Sequence, residues 1–251
     1  MTYTEFRPNE LLSPYIDTYW YGFSFNEKEE FHKILPDGCV DIIFSFGEAK
    51  QFGLDPTYPN IIGAMTTFSE GSYSNEVSML GIRFKPAGFS AFTRTPISEF
   101  TDQRINLTLT ETLFDEYLYA ELLEKETTQA KIQYLDSYFI KKLKRMFEPE
   151  ARIVYAVNLI RQTKGLLPLT EVAESSCLSL RHFERRFKTA VGISPKTFSK
   201  VIKFQHSISY LKKNGDASLF SIAVDCGYYD QAHLIKEFKS LSGNSPSYFK
   251  V

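Results

Sequence analysis

The stretch Leu169–Phe198 reads LTEVAESSCLSLRHFERRFKTAVGISPKTF, and a related stretch, Ile222–Phe249, reads IAVDCGYYDQAHLIKEFKSLSGNSPSYF. With one extra residue in the turn of the second copy, the two agree at small, apolar, basic and proline positions. The paired positions are Val172/Ile222, Ala173/Ala223, Ser179/Asp230, Phe183/Leu234, Arg185/Lys236, Phe187/Phe238, Lys188/Lys239, Gly192/Gly243, Ser194/Ser245, Pro195/Pro246 and Phe198/Phe249. Agreement at so many special positions indicates two copies of one supersecondary unit.

Each copy has the pattern of a short helix, a tight turn and a second, basic helix. In the first copy the pattern predicts a helix over Glu171–Ser176 capped by Thr170, then a helix over Leu180–Thr189 capped by Ser179. Side chains spaced by four residues are expected to face the core, here Phe183 and Phe187. This is a helix-turn-helix pattern, in which the second helix enters the major groove of DNA.

The second copy repeats this arrangement with different residues. It predicts a helix over Phe220–Asp225, a turn over Cys226–Tyr229 and a second helix capped by Asp230. Gly227 allows the positive φ that such a turn needs. Leu234 and Phe238 are the expected core positions of the second helix.

Polar side chains left on the outer faces have the chemistry of base and phosphate recognition. Arg181 and Arg185 suit bidentate bonds to guanine, Gln231 suits adenine, and Glu184 can accept from cytosine. The lysines suit phosphates, which add affinity without sequence information; they are Lys188, Lys200, Lys203 and Lys239. His182 and His233 are further candidates, although each could instead cap or pack. The alternative for the whole set is a solvated basic face on an ordinary helical domain.

Between the copies, Pro195–Lys213 is predicted to be one long helix. A rigid connector would hold the two second helices at a fixed separation. To read one face of DNA, that separation must be about one helical turn, roughly 34 Å.

The charge distribution divides the chain near Glu148–Glu150. Residues 151–251 hold 15 basic and 7 acidic residues, whereas residues 1–150 hold 14 and 23. Such asymmetry favours a polyanion-binding half beside a half with another task. Because Pro149 also breaks a helix, we expect domains at 1–148 and 149–251.

The first half is predicted to be a β-rich barrel or sandwich followed by helices. A Pro36–Gly38 turn separates two of the strands. Predicted strands cover Tyr15–Phe25, Phe31–Leu35, Val40–Phe46, Ile61–Met65 and Val77–Phe84. Predicted helices cover Ala87–Arg94, Thr110–Lys125 and Thr127–Met146.

The C-terminal stretches quoted above resemble the AraC/XylS family of bacterial transcription regulators, over about Arg152–Val251. Two N-terminal stretches, LPDGCVDIIFSFG (Leu35–Gly47) and GIRFKPAGFSAF (Gly81–Phe92), resemble the companion domain of a subset of that family. The resemblance implies an α+β chain, with a cupin-like β-barrel and appended helices before an all-α double helix-turn-helix domain. It also implies groove-facing roles for Arg181, Glu184, Arg185, Gln231, Ile235 and Lys236. The companion domain often senses a small molecule or mediates self-association.

Enzymatic chemistry in the first half has little support in its residues. His32 is its single histidine, so a cupin metal centre is not expected, and no nucleophile or phosphate-loop motif occurs. We expect no catalytic residue, metal or cofactor. A ligand pocket is a better hypothesis: its candidate lining is the aromatic Trp20, Tyr21, Phe44 and Phe84, with Arg83 as the one charge that would hold an anionic ligand. The alternative is that these aromatics fill a solid core.

The three cysteines, Cys39, Cys177 and Cys226, are far apart and predicted to be buried, reduced thiols. No stretch has the length and apolarity of a membrane helix, which favours a cytoplasmic protein without a membrane partner. The sequence predicts a regulator that binds double-stranded DNA, with a small-molecule effector, a second copy of the chain and RNA polymerase as candidate partners. Two rivals stay open: a ligand-binding or enzymatic barrel with a helical accessory domain, and a nonspecific architectural DNA-binder.

Overall fold

The computed structural model describes residues 2–47, 52–115 and 117–250. A β-sheet part comes first and an all-helical part follows, as the predicted α+β class requires. The strands are β1 Thr2–Phe6, β2 Ile16–Ile34, β3 Val40–Ser45, β4 Asn60–Ile62, β5 Ser69–Phe84 and β6 Arg104–Asn106. The α-helices are α1 Tyr117–Leu123, α2 Thr128–Lys142, α3 Ala151–Gln162, α4 Leu169–Ser175, α5 Leu180–Val191, α6 Pro195–Lys213, α7 Leu219–Asp225 and α8 Gln231–Ser242.

The strands form one antiparallel sheet in the order β1-β2-β5-β3-β4-β6, so β1 and β6 are the edges of the sheet among the described residues. Two segments predicted as separate strands, Tyr15–Phe25 and Phe31–Leu35, belong to the single strand β2. The polar stretch between them interrupts the apolar pattern, but pairing with β5 continues through it with a register shift between Asn26 and Glu30.

The two faces of this sheet bury different residues, because successive side chains of a strand point to opposite faces. One face carries the main core, where Tyr19, Phe44 and Phe84 are fully buried beneath α1 and α2. The other face carries a smaller cluster that includes Trp20 and Met79. The two faces of the sheet therefore carry separate groups of buried side chains.

The helices after the sheet are shorter than the sequence pattern predicts. Ala87–Arg94 forms only a 3-10 turn at Gly88–Ala91. Thr110–Lys125 contains only the short helix α1, which buries Leu118 and Leu122 and leaves Tyr117 exposed. Within the predicted range Thr127–Met146, α2 covers Thr128–Lys142 and a 3-10 turn follows at Leu143–Arg145. Thr127 caps α2 by accepting a hydrogen bond from the Ala130 N–H at 3.1 Å.

The helical part has two cores that share α6. Phe198 of α6 packs with Phe183 and Phe187 of α5, whereas Phe204 of α6 packs with Phe238 of α8. The single long helix predicted over Pro195–Lys213 is confirmed. Each repeat therefore has its own apolar core, and α6 is common to both.

Two expectations for this half were wrong in detail. Helix α4 begins at Leu169 after Pro168, so Thr170 lies inside the helix and does not cap it. Cys177 is exposed, because it lies in the turn between α4 and α5, while Cys39 and Cys226 are buried as predicted.

Candidate nucleic-acid interface

The first helix-turn-helix unit is built from α4, the four residues 176–179 and α5. In the turn, the Leu178 N–H donates to the Ala173 carbonyl at 3.0 Å. Ser179 has the extended backbone of an N-cap, although its hydroxyl makes no capping bond. Phe183 and Phe187 are fully buried with ring centroids 5.5 Å apart. Burying each is worth about 2–3 kcal/mol, which fixes the rotation of α5 about its axis.

That rotation leaves all the predicted recognition residues of α5 on the surface. Every one of them is exposed: Arg181, His182, Glu184, Arg185 and Lys188. Gly192 ends the helix with φ 98°, and its N–H donates to the Lys188 carbonyl at 2.9 Å. The outer face of α5 can therefore meet a ligand without any rearrangement of the helix.

The second unit has the same local geometry. The Tyr228 N–H donates to the Ala223 carbonyl at 2.8 Å, the bond equivalent to the one in the first turn. Asp230 caps α8 by accepting from the His233 N–H at 2.7 Å, as predicted. Leu234 and Phe238 are fully buried. The repeat seen in the sequence is thus a repeat of turn hydrogen bonds and core positions.

The outer residues of α8 are more mixed than those of α5. Gln231, Lys236 and Lys239 are exposed, and Ile235 is half-buried. The His233 imidazole is engaged at the start of the helix: its Nδ1 accepts from the Tyr229 N–H at 3.3 Å, and the ring meets Tyr228 edge-on. His233 is thus held by capping and packing contacts.

Two lysines proposed as phosphate ligands, Lys200 and Lys203, instead contact side chains of the protein itself. The Lys200 Nζ lies 2.8 Å from the Oε1 of Glu237, a nearly buried carboxylate of α8. The Lys203 Nζ lies 4.3 Å above the Tyr228 ring, and burial lowers the pKa of this lysine. Both side chains join α6 to the second unit and so position α8.

Five cations on the two second helices, α5 and α8, differ from these lysines. None of them forms an ion pair with any residue that the structure describes. They are Arg181, Arg185, Lys188, Lys236 and Lys239. Exposed cations without an ion pair suit binding to phosphates, because each can displace a condensed counterion.

Tyr229 is a candidate contact that the sequence reasoning did not include. It directly precedes the cap of α8, and its side chain is 92% exposed. This ring stands at the N-terminal end of α8, the end that contacts base edges in helix-turn-helix proteins. The signal was present in the second tyrosine of the Tyr228–Tyr229 pair, since a turn needs only one of them for the core.

The candidate ligand residues of the sheet fall on two different faces. Trp20 and Arg83 line a cavity of about 380 Å³. Phe44 and Phe84 do not line it, because they are fully buried in the main core on the opposite face. Tyr21 is half-buried against that core, with its hydroxyl 2.9 Å from the Ser78 Oγ.

Strand geometry explains this division. Trp20 and Tyr21 are consecutive, as are Arg83 and Phe84, so each pair must split between the faces of the sheet. Three lining residues that the sequence reasoning missed follow the same alternation or the adjoining turn: Asp37, Asp41 and Met79. Counting by two from Arg83 along β5 and across to its pairing partner on β3 could have found Met79 and Asp41.

No group of three or more His, Cys, Asp or Glu side chains suited to a metal ion occurs within residues 2–47, 52–115 and 117–250. Over the same ranges, no helix combines the length and apolarity needed to cross a bilayer.

Comparisons with known proteins match the two halves separately. Residues 172–250 match the family described as "Helix-turn-helix domain", and residues 4–106 match "Domain of unknown function (DUF6597)". An uncharacterized HTH-type transcriptional regulator of Haemophilus influenzae is 30% identical over 94 residues, 38% of this chain and 31% of that protein. The HTH-type transcriptional regulator MtrA of Neisseria gonorrhoeae is 30% identical over 82 residues, 33% of this chain and 27% of that protein. The chain thus matches less than a third of the length of these curated relatives.

Solved structures of ToxT from Vibrio cholerae are similar over most of the chain. One covers 92% of this chain and 97% of its own, with 8% identity and a TM-score of 0.45. Another, the wild-type protein with an unsaturated fatty acid bound, covers 92% and 94%, with 11% identity and a TM-score of 0.48.

Proposed function

We propose that this chain, whose residues 172–250 form an AraC-type helix-turn-helix domain, is a sequence-specific DNA-binding transcription regulator. The observation that supports this most strongly is the exposure of unpaired Arg and Lys side chains on both second helices. A solvated basic face would not require two units with the same turn, the same buried apolar positions and the same outward cations.

In this proposal α5 and α8 each enter a major groove of one duplex. Arg181 and Arg185 lie one turn apart on α5 and contact guanine edges, while Glu184 accepts from cytosine. Gln231 at the start of α8 pairs with adenine. Lys188 and Lys239 bind phosphates and set the register of the protein on DNA.

The proposed role of α6 is to keep α5 and α8, the two reading helices, at a fixed distance from each other. It is a 19-residue helix that contributes apolar side chains to both cores. Because it cannot bend without breaking one of these cores, the two units would move on DNA as one body. A single chain would then cover two successive grooves, about 34 Å apart.

The N-terminal part would tune DNA binding in response to a small molecule. It touches the end of both reading helices: the Thr101 Oγ1 donates to the Gly192 carbonyl and the Thr67 Oγ1 to the Ser240 carbonyl, each at 2.7 Å. The cavity is close to this contact surface, since Leu35 lines the cavity and also packs on the second helical core. A ligand that moves this segment would shift the reading helices.

This role would be carried out in the cytoplasm, where the operator DNA is. A second copy of the chain and RNA polymerase remain candidate partners. We propose no enzymatic activity.

The test begins with genome-wide mapping of bound DNA, followed by gel-shift titrations on the sites found. Arg185→Ala should lose about 1–3 kcal/mol of discrimination at particular base pairs, because a bidentate contact to guanine is removed. Arg145→Ala, at an exposed arginine of the N-terminal part, is the matched control and should bind as the unchanged chain does.

The two rivals predict other results. An architectural DNA-binder would lose affinity evenly across cognate and random sequences when Arg185 is replaced. A ligand-binding or enzymatic barrel would show no DNA binding at all, and would retain its ligand or turnover without residues 151–251.

A further inference from the structure

A crevice of about 370 Å³ lies between the N-terminal part and the reading helix α5. Residues 93–97 form one wall, and the second half of α5 forms the other. Residues 148–150, at the boundary between the two parts, complete the lining. Both parts of the chain therefore contribute to one surface beside a helix that we propose to read DNA.

The charged side chains of this crevice are three arginines and two glutamates. Arg186 is neutralised within the protein, because its Nη1 lies 2.9 Å from the Glu150 Oε1. The second carboxylate, that of Glu148, is exposed. Among the residues that the structure describes, neither Arg94 nor Arg185 has an ion pair with a carboxylate. The crevice thus has one positive charge in excess, with one unpaired arginine on each wall.

Arg94 is held in place in a way that leaves its hydrogen-bond donors available. Its guanidinium carbon lies 4.9 Å from the centroid of the Phe147 ring, and the residue is exposed. Phe147 is itself positioned by its N–H, which donates to the Ala91 carbonyl at 3.0 Å. A ring face attracts and orients a guanidinium without using its N–H groups. An oriented arginine with available donors suits a phosphate, which it can bind through two parallel hydrogen bonds.

The two walls are also fixed relative to each other. The Thr101 Oγ1 donates to the Gly192 carbonyl at 2.7 Å, just beyond the last residue of α5. Ile97 packs at the same point, since a Cβ on Gly192 would lie 3.3 Å from the Ile97 Cγ2. A duplex that presents a base edge to Arg185 would therefore bring the adjoining backbone to Arg94.

The position of the crevice favours a phosphate of DNA over a free anion. Its second unpaired cation, Arg185, belongs to the exposed outer face of α5 together with Arg181 and Lys188. A free anion would gain from Arg94 and Arg185 alone. A DNA backbone would extend along the whole of this face and contact its other cations as well.

We infer that the N-terminal part takes a direct share in the DNA interface, with Arg94 binding the backbone phosphate next to the base pair that Arg185 contacts. The inference rests on the proposed function for the presence of DNA. It adds a contact with DNA to the regulatory role proposed for the N-terminal part.

The first test is the salt dependence of binding to a mapped site. Arg94→Met should reduce the slope of log affinity against log salt concentration by about 0.9, because one phosphate contact is lost. Arg94→Lys keeps the charge and should keep the slope. Arg145→Met, at an exposed arginine of the N-terminal part outside the crevice, is the matched control and should leave the slope unchanged. Denaturant unfolding of each variant confirms that it is folded.

The second test locates the phosphate. Uncharged methylphosphonate linkages are placed one at a time around the base pair at which Arg185→Ala loses discrimination. One of them should weaken binding of the unchanged chain about tenfold, as expected for the loss of a charge-assisted hydrogen bond. The same linkage should not weaken binding of Arg94→Met any further. Lys188→Met is the control, because it should lose its sensitivity at a different phosphate.

Three results would overturn the inference: an unchanged salt slope in Arg94→Met, an equal loss of slope in Arg145→Met, or full sensitivity of Arg94→Met to every methylphosphonate that affects the unchanged chain. In each case the crevice would be only a packing surface between the two parts. Any of these results together with sequence-specific binding removes this inference and leaves the proposed function intact. Absence of binding by the unchanged chain to every DNA site removes the proposed function itself.

Discussion

Cys177 and Gly227 occupy equivalent positions in the two turns, and both have a positive φ, 53° and 71° respectively. This conformation costs an ordinary L-residue about 1–2 kcal/mol, whereas glycine adopts it freely. The first unit therefore carries backbone strain that the second unit avoids. The sequence analysis predicted a buried thiol at Cys177, but this turn position is exposed.

We predict that Cys177→Gly stabilises the chain by about 0.5–1 kcal/mol, since relief of the strain exceeds the added entropy of the unfolded chain. Denaturant unfolding measures the change. Cys177→Ser is the control, because it removes the thiol and keeps the Cβ, and should give no comparable gain. Equal stabilisation by both variants would show that the thiol, and not the backbone, matters.

The cavity residues show how far single residues could be predicted. Trp20 and Arg83 were identifiable because an aromatic and a charged residue stand within apolar strands. Their neighbours Tyr21 and Phe84 were assigned to the same cavity, and the alternation of side chains along a strand excludes this. Asp41 was not recognised, because its side-chain contacts are with Trp20 and Arg83 on other strands.

At the scale of elements, the lysines of the helical part divide into two groups with different roles. Lys239 is exposed and unpaired on α8, whereas Lys200 is bound to the nearly buried Glu237. A cation that binds phosphate and one that neutralises a buried carboxylate should respond to different measurements. Their positions in the sequence do not distinguish them, because the partner of Lys200 is 37 residues away.

We predict that Lys239→Met reduces the slope of log affinity against log salt concentration by about 0.9 and leaves stability nearly unchanged. Lys200→Met should leave that slope unchanged and lower the free energy of unfolding by about 1–3 kcal/mol, because Glu237 loses its partner. Salt-dependent anisotropy and denaturant unfolding measure the two effects. The reverse assignment of effects would contradict the division.

The helical elements were predictable because their signals are local. Caps such as Asp230, apolar pairs such as Phe183 and Phe187, and a proline at the start of α6 each act within one turn of helix. The strands were harder to predict from the sequence. The length of β2 depends on its pairing with β5, which continues through a polar stretch that local patterning assigns to a loop.

At the scale of the whole molecule, the N-terminal part packs on the helical part through one short segment as well as through the helix ends. The Gln205 Nε2 of α6 donates to the Pro36 carbonyl at 2.6 Å. Gly38 lies so close to Phe198 that a Cβ there would be 2.6 Å from its Cε2. Residues 33–39 thus connect the cavity wall with the connector helix. No local pattern in the sequence indicated this contact.

The charge division between the halves is consistent with this arrangement. The acidic half covers the ends of the reading helices, while their unpaired cations stay in solvent. The central claim is that one chain places α5 and α8 in successive major grooves of one duplex.

The most direct test of that claim is a base-by-base substitution scan of a bound operator with the unchanged chain, Arg185→Ala and Gln231→Ala. Each variant should become indifferent to base identity at its own contact positions. We predict that the two sets of positions lie about 10–10.5 base pairs apart on one duplex bound by a single chain. Loss of discrimination at the same base pairs in both variants, or at none for Gln231→Ala, would contradict the account.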